Sequence, residues 1–318
     1  MRKMAVSIMV ALLCTVLFPI YGVNASEEMS TVRSMENENP NALKKLRYTD
    51  AMTGETSLIE INKTIGENVN NEQDRISKGN MNHAPRFVIG EDTRERIEDA
   101  NTYPYSAIAL VEVVYTNGKK QYGTGFMVSR RTMLTAAHVL VEKDWVIEEI
   151  NVYKSCNGYK ASPTAQASSW MICDEYDDTE ILDCDNDYAI IRFSSNISQT
   201  WFGLYVPQNI QNLIGNGRHV AGYPGERCNV DTGYFPMYSA GGNVVDAHLY
   251  RIDHTIDTSD GESGGPVHRY NYSIYQWEAM AINVAGYAAY EGAPHINYGC
   301  RITSELYDWM LDMSYIYE

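Results

Sequence analysis

From Val88 to its C-terminus the chain is written in short apolar runs broken by turn residues, a texture that points to an all-β fold. Ala107 to Tyr115 alternates and clusters Ile, Leu, Val and Tyr, then meets Asn117-Gly118. That dipeptide favours the tight turn of a hairpin, with Gln121 to Val128 as the returning strand. Further strand-like runs follow at Tyr188 to Phe193, His219 to Gly222 and Ala279 to Val284. Many short strands joined by loops suit two packed antiparallel barrels. One helix stands out at the end, where Thr303 can cap it and Leu306, Trp309, Met310 and Met313 form a stripe expected to pack on a barrel.

The first 86 residues differ in character. Arg2 and Lys3 precede a largely apolar stretch from Met4 to Ile20, and Val23-Asn24-Ala25 offers a small-residue cleavage site. Residues 1–25 therefore read as a secretory signal peptide, and the protein is expected to be exported and secreted. No later apolar run is long enough for a helical membrane span, so no membrane partner is expected once the signal is removed. Residues 26–86 are rich in Asn, Glu, Lys and Ser, with a hairpin-like piece at Leu58-Ile59-Glu60-Ile61 after a turn at Thr53-Gly54. Asn68 to Pro85 is polar and reads as a linker. The formal net charge of −16 argues against nucleic acid as a partner.

Chemistry is concentrated in Asp257-Thr258-Ser259-Asp260-Gly261-Glu262-Ser263-Gly264-Gly265-Pro266. Glycines flanking a serine let the backbone approach a substrate and adopt angles closed to other residues. The amides of Gly261 and Ser263 can then stabilise a developing oxyanion. A serine hydroxyl needs a base with a pKa near 7, and Leu134-Thr135-Ala136-Ala137-His138-Val139 supplies an imidazole after the strand-like run 123–128. Asn186-Asp187-Tyr188-Ala189-Ile190-Ile191 adds a carboxylate before an apolar run, able to orient that imidazole. An α/β-hydrolase would place its acid and histidine after the serine; here both precede it, and the downstream His268 and His295 lack comparable surroundings.

Cys14 falls in the signal, which leaves Cys156, Cys173, Cys184, Cys228 and Cys300. Export permits disulfides, an odd count leaves at least one thiol over, and Cys156 with Cys173 would close a modest loop. The Cys156/Cys173/Cys184 spacing matches no standard zinc pattern, so no metal is expected.

With these motifs the chain resembles the chymotrypsin-like serine proteases, specifically their bacterial glutamyl endopeptidase branch. Val88-Ile89-Gly90-Glu91-Asp92-Thr93-Arg94 resembles the start of the mature enzyme in that branch, and Tyr103-Pro104-Tyr105 with Ala107-Ile108 fits the segment after it. Gly222-Tyr223-Pro224-Gly225 fits a family turn, and Tyr298-Gly299-Cys300-Arg301-Ile302-Thr303 resembles the run into the last helix. The resemblance spans about Val88 to the C-terminus. It implies two six-stranded barrels in residues 87–318, with His138 and Asp187 in the first, Ser263 in the second and the site in the cleft between them. It further implies that His138, Asp187 and Ser263 are catalytic, that no cofactor is needed, and that a monomer acts on protein or peptide substrates.

Under the same resemblance residues 26–86 are a propeptide, removed by cleavage between Arg86 and Phe87 or one bond later. A spacer retained in the mature protein is the alternative. The freed amino group contributes to the specificity pocket in the branch, and Glu262 is a second candidate partner for that cation. Thr258 should line the pocket, while Asn283 stands where the branch has a histidine that binds the substrate carboxylate. Asp257, six residues before Ser263, matches the pocket-floor acid of trypsin-like enzymes, although some glutamyl endopeptidases also carry Asp-Thr here. Glutamate preference, Lys/Arg preference and a catalytically inactive binding domain on the same fold therefore all remain open.

Overall fold

A computed structural model describes residues 45–60, 88–142, 144–176, 184–288, 295–313 and 315–316. The signal peptide, the polar stretch 68–85, and Arg86 and Phe87 lie outside the described residues. The described residues fall within one compact unit, Leu43–Glu318.

The first elements are a hairpin, β1 (Lys45–Asp50) and β2 (Thr56–Glu60). Its turn is held by Asp50, whose carboxylate accepts from the Met52 and Thr53 amides at 2.9 Å each. Gly54 takes a φ of +69°, the left-handed value that favours glycine in such a turn. The hairpin-like piece expected at 58–61 is the return strand of this unit, and Ile61 lies outside the described residues.

The alternation over 107–128 folds as β3 (Ile108–Tyr115) and β4 (Lys120–Met127), joined through Gly118 at a φ of +77°. β5 (Thr132–Thr135) leads into a single helical turn, α1 (Ala137–Leu140). β6 (Ile147–Lys154), β7 (Ala165–Gln166), β8 (Ser169–Cys173) and β9 (Ala189–Arg192) complete the sheet. Its order is β2-β1-β8-β9-β5-β4-β3-β6-β7. The run 165–173 acts as one bent strand, with β7 paired to β6 and β8 to β9. At the bend Ala167 N donates to Ile150 O at 3.0 Å and Ser168 N to Arg192 O at 2.8 Å, which carries the strand from one side of the first barrel to the other.

The second barrel comprises β10 (Gly215–Gly222), β11 (Tyr238–Ala247), β12 (Arg251–His254), β13 (Pro266–Asn271), β14 (Gln276–Ala288) and β15 (His295–Arg301). They pair in the order β14-β13-β10-β11-β12-β15, and β15 pairs back onto β14 to close a six-stranded ring. Side chains that alternate inward, among them Val220, Val244, Ile252, Val267 and Met280, fill it as a separate core cluster. The expected two-barrel, all-β architecture is the one observed.

The closing helix α2 (Ser304–Asp312) is capped as expected, with Leu306 N donating to the Thr303 hydroxyl at 3.3 Å. Such a cap contributes about 1 kcal/mol. Leu306, Trp309 and Met310 are buried, but Met313 is 43% exposed, because the helix stops at Asp312 and Met313 sits at its C-cap. No helix among the described residues is long and apolar enough to cross a membrane.

The five cysteines are free thiols. The Cys156 sulfur lies against Phe235 O at 3.8 Å and the Cys173 sulfur against Asn186 Oδ1 at 3.7 Å, so the expected bridge between them does not form.

Candidate active site

Strand register brings His138 and Asp187 together. β5 and β9 run antiparallel with Thr135 opposite Ala189, so the residues just after β5 meet those just before β9. His138 lies on α1, and its backbone N–H donates to Asp187 Oδ1 at 2.9 Å. Its ring Nδ1 lies 2.6 Å from Asp187 Oδ2. An ionised carboxylate only accepts, which puts the proton on Nδ1 and leaves the Nε2 lone pair facing outward. That Nε2 lies 2.7 Å from Ser263 Oγ. The Asp187 and Ser263 residues are 6% and 5% exposed, so the polar chain runs through a largely dry seam where electrostatic interactions are strong.

The serine turn is fixed from both barrels. Gly264 N donates to Asn283 O and Asn283 N to Gly265 O, each at 2.8 Å, tying the turn to β14. From the first barrel, Thr124 N donates to Ser263 O at 2.7 Å and the Thr124 hydroxyl donates to Gly261 O at 2.8 Å. The same hydroxyl accepts from Tyr223 N at 3.2 Å. Gly261 and Gly264 adopt φ values of +91° and +83°. A Cβ at Gly261 would run into Tyr223 O, and one at Gly264 into Thr124 O and Thr135 Oγ1. Glycine is thus required twice, by backbone angle and by space. Among the described residues neither the Gly261 nor the Ser263 amide donates to a protein acceptor, which leaves both available to an anionic oxygen.

Glu262, between those two amides, is fully buried. Its Oε2 accepts from Ser259 N at 2.8 Å and from Arg94 Nη1 at 3.2 Å. Burial pushes its carboxyl up to about 7, with Arg94 acting in the opposite direction. Arg94 also donates to the Ser259 hydroxyl at 2.6 Å and pairs with Asp92 and Glu226. Sequence motifs gave no sign of Arg94 or Thr124 as parts of this site.

The residues expected to set specificity fall into different surroundings. Asp257 is 2% exposed, and its carboxylate is taken up by the segment 89–93. Oδ1 accepts from Ile89 N at 2.6 Å, and Oδ2 from Thr93 N at 2.9 Å and the Thr93 hydroxyl at 2.6 Å. The Thr258 hydroxyl is buried without a protein partner among the described residues. Asn283 is fully buried and donates from Nδ2 to Glu262 O at 3.0 Å. His254 is its neighbour, and burial lowers that imidazole to about 4, so it is neutral at ordinary pH. His268 is likewise buried, between Phe202 and Trp277 with ring centroids at 5.1 and 5.3 Å.

Residues 97–310 match the trypsin family. The chain is 30% identical over 241 residues to an extracellular metalloprotease of Bacillus subtilis, covering 74% of this chain and 72% of that protein. It is 25% identical over 260 residues to the glutamyl endopeptidase of Bacillus licheniformis, covering 76% and 74% of the two chains. A solved Glu endopeptidase structure superposes with a TM-score of 0.57 at 22% identity, covering 72% of this chain and all of that one, a likeness of fold. The first relative's name implies a metal, which the donor set here does not fit. Both ring nitrogens of His138 are engaged, by Asp187 and Ser263, and no group of three His, Cys, Asp or Glu among the described residues could hold an ion. With the family match running over most of the sequence, the chain belongs to the trypsin (chymotrypsin-like) family of serine endopeptidases.

Proposed function

We propose that the protein is a secreted serine endopeptidase, made as a zymogen, in which Ser263 attacks the scissile carbonyl. His138 takes the hydroxyl proton and returns it to the leaving amine; Asp187 holds the ring and stabilises its cation; the Gly261 and Ser263 amides hold the oxyanion. The observation that carries this reading is the unbroken chain from Asp187 Oδ2 through His138 to Ser263 Oγ, at 2.6 and 2.7 Å. That geometry also counts against a catalytically inactive binding domain.

Cleavage between Arg86 and Phe87, or one bond later, would free an amino terminus next to a segment already pinned to the serine loop through Ile89 and Asp257. Val88 lines a surface cavity together with Arg94, Glu226, Ser259 and Asp260, which supports an activating role for the new terminus there. The preferred substrate residue is glutamate, with less stringency than a pocket histidine would give. Asn283 can donate a hydrogen bond but carries no charge, and charge-assisted bonds are the stronger kind. The Lys/Arg alternative is disfavoured because both oxygens of Asp257 are occupied by the segment 89–93.

Cleavage of a mixed peptide library by the processed protein tests activity and preference together. Ser263→Ala should abolish turnover, and Asp187→Asn should lower it by about four orders of magnitude, the loss seen when a triad acid becomes an amide. Near-normal proteolysis by Ser263→Ala would refute the assignment. Cleavage confined to sites after Lys or Arg would overturn the glutamate preference alone.

A further inference from the structure

The bent strand 165–173 creates an edge that the first barrel does not use. β7 is bonded to β6 and β8 to β9, so the outer side of β8 would present a row of unpaired backbone groups. In this chain β1 fills that edge. It runs antiparallel to β8 with Leu46 opposite Cys173, Tyr48 opposite Met171 and Asp50 opposite Ser169. Pairing continues past both ends, where Asp174 N donates to Lys45 O at 2.8 Å and Ala51 N to Ser168 O at 3.0 Å.

The contact has an apolar anchor. Leu46 is fully buried in the same core cluster as the first barrel, and Tyr48, Ala51 and Ile59 pack against that cluster. At the rim Arg47 pairs with Asp174 at 3.1 Å, but both side chains are partly exposed, so this pair orients the strand more than it holds it. The hairpin closes on its own turn, which lowers the ordering needed for docking. It also lies upstream of residue 97, where the family match begins.

We infer that the outer edge of β8 is a strand-docking site whose occupant is this chain's own segment 45–60, and that the segment remains there as a non-covalent subunit after the chain is cut. This rests on the activation cleavage proposed above. Recognition is by backbone pairing along one sheet edge, with Leu46 filling the pocket that gives it specificity.

The test uses the secreted, processed enzyme. N-terminal sequencing establishes cleavage and a fluorophosphonate probe establishes an intact Ser263 site, so a failure of the enzyme reading is seen separately. The enzyme is then passed through a sizing column in native buffer, and its peak is analysed by mass spectrometry. A peptide containing residues 45–60 should co-elute in about a one-to-one ratio and separate only in denaturant. Leu46→Asp in the precursor should lower the retained peptide at least about tenfold with probe labelling preserved. If that variant does not fold, Leu46→Ala should give a smaller loss in the same direction. Processed, probe-reactive enzyme without the peptide in its native peak overturns the inference, as does retention that is indifferent to Leu46. A chain that stays uncut refutes the cleavage instead, and nicking the stretch 61–87 with an added protease then reads the docking by itself.

Discussion

Replacing Arg94 with Met should expose how the serine loop is held. The Arg94 side chain is 3% exposed and the Glu262 side chain fully buried, with their charged atoms 3.2 Å apart. Removing one partner from such a buried pair costs about 3–5 kcal/mol where the other has to stay charged. The further pairs of Arg94, with Asp92 and Glu226, add little, because those side chains are 30% and 47% exposed. The deficit should depend on pH. Burial raises the Glu262 carboxyl from 4.5 to about 7 even with Arg94 opposing, so the folded state binds this proton more tightly than the unfolded state does. Stability from that group is fully present below about pH 4.5 and is lost as pH rises through about 7. Without Arg94 the carboxyl moves higher still, and the loss at neutral pH deepens. Denaturant unfolding in a Ser263→Ala background, which prevents self-digestion, reads this directly. A carboxyl with a folded pKa of about 7 is half protonated at pH 7, so the pH-dependent part of the Arg94→Met deficit should be absent near pH 4.5, about 0.4 kcal/mol at pH 7, and about 3 kcal/mol near pH 9, where only the parent keeps Glu262 ionised. Adding Glu262→Gln should recover most of the deficit seen near pH 9, since the buried group no longer has to be protonated against the solution. A deficit that does not grow between pH 7 and pH 9, or a double variant no more stable than the single one at pH 9, would refute the reasoning.

Two further substitutions address other parts of the site. Thr124→Val leaves Gly261 O without its donor and Tyr223 N without its acceptor, at a cost of about 1–3 kcal/mol for each buried group left unpaired. Because Thr124 holds the turn and not the substrate side chain, its kcat should fall with KM little changed, and an unaltered kcat would remove Thr124 from the account. Asn283→His should raise the ratio of kcat/KM for Glu over Gln at the cleaved residue, an effect that grows as pH falls and the imidazole gains charge. An unchanged ratio across pH would show that this position does not read the substrate.

What could be read from the sequence was chemistry encoded locally. Asn117-Gly118 specifies its turn whatever lies elsewhere, and alternation over 107–128 specifies two strands. The flanks of His138, Asp187 and Ser263 named three residues that the fold brings within hydrogen-bond distance. Contacts made over long sequence separations left no such trace. Arg94 reaches Glu262 across 168 residues and Thr124 reaches Gly261 across 137, and nothing near either residue marks it as a clamp. Asp257 shows the limit of reasoning by position, because what its carboxylate does is decided by the Ile89 and Thr93 amides. β1 was invisible for another reason. In Lys45–Asp50 only Leu46 is fully buried, so the strand owes its state to the open edge of β8 and not to any propensity of its own.

The central claim is that Ser263 is a nucleophile activated by His138. Labelling of the processed protein with a fluorophosphonate, followed by peptide mapping, tests it most directly. The account predicts one adduct per chain, on Ser263, absent in Ser263→Ala and greatly slowed in His138→Ala. An adduct on another residue, or no adduct on protein that cleaves peptides, would contradict it.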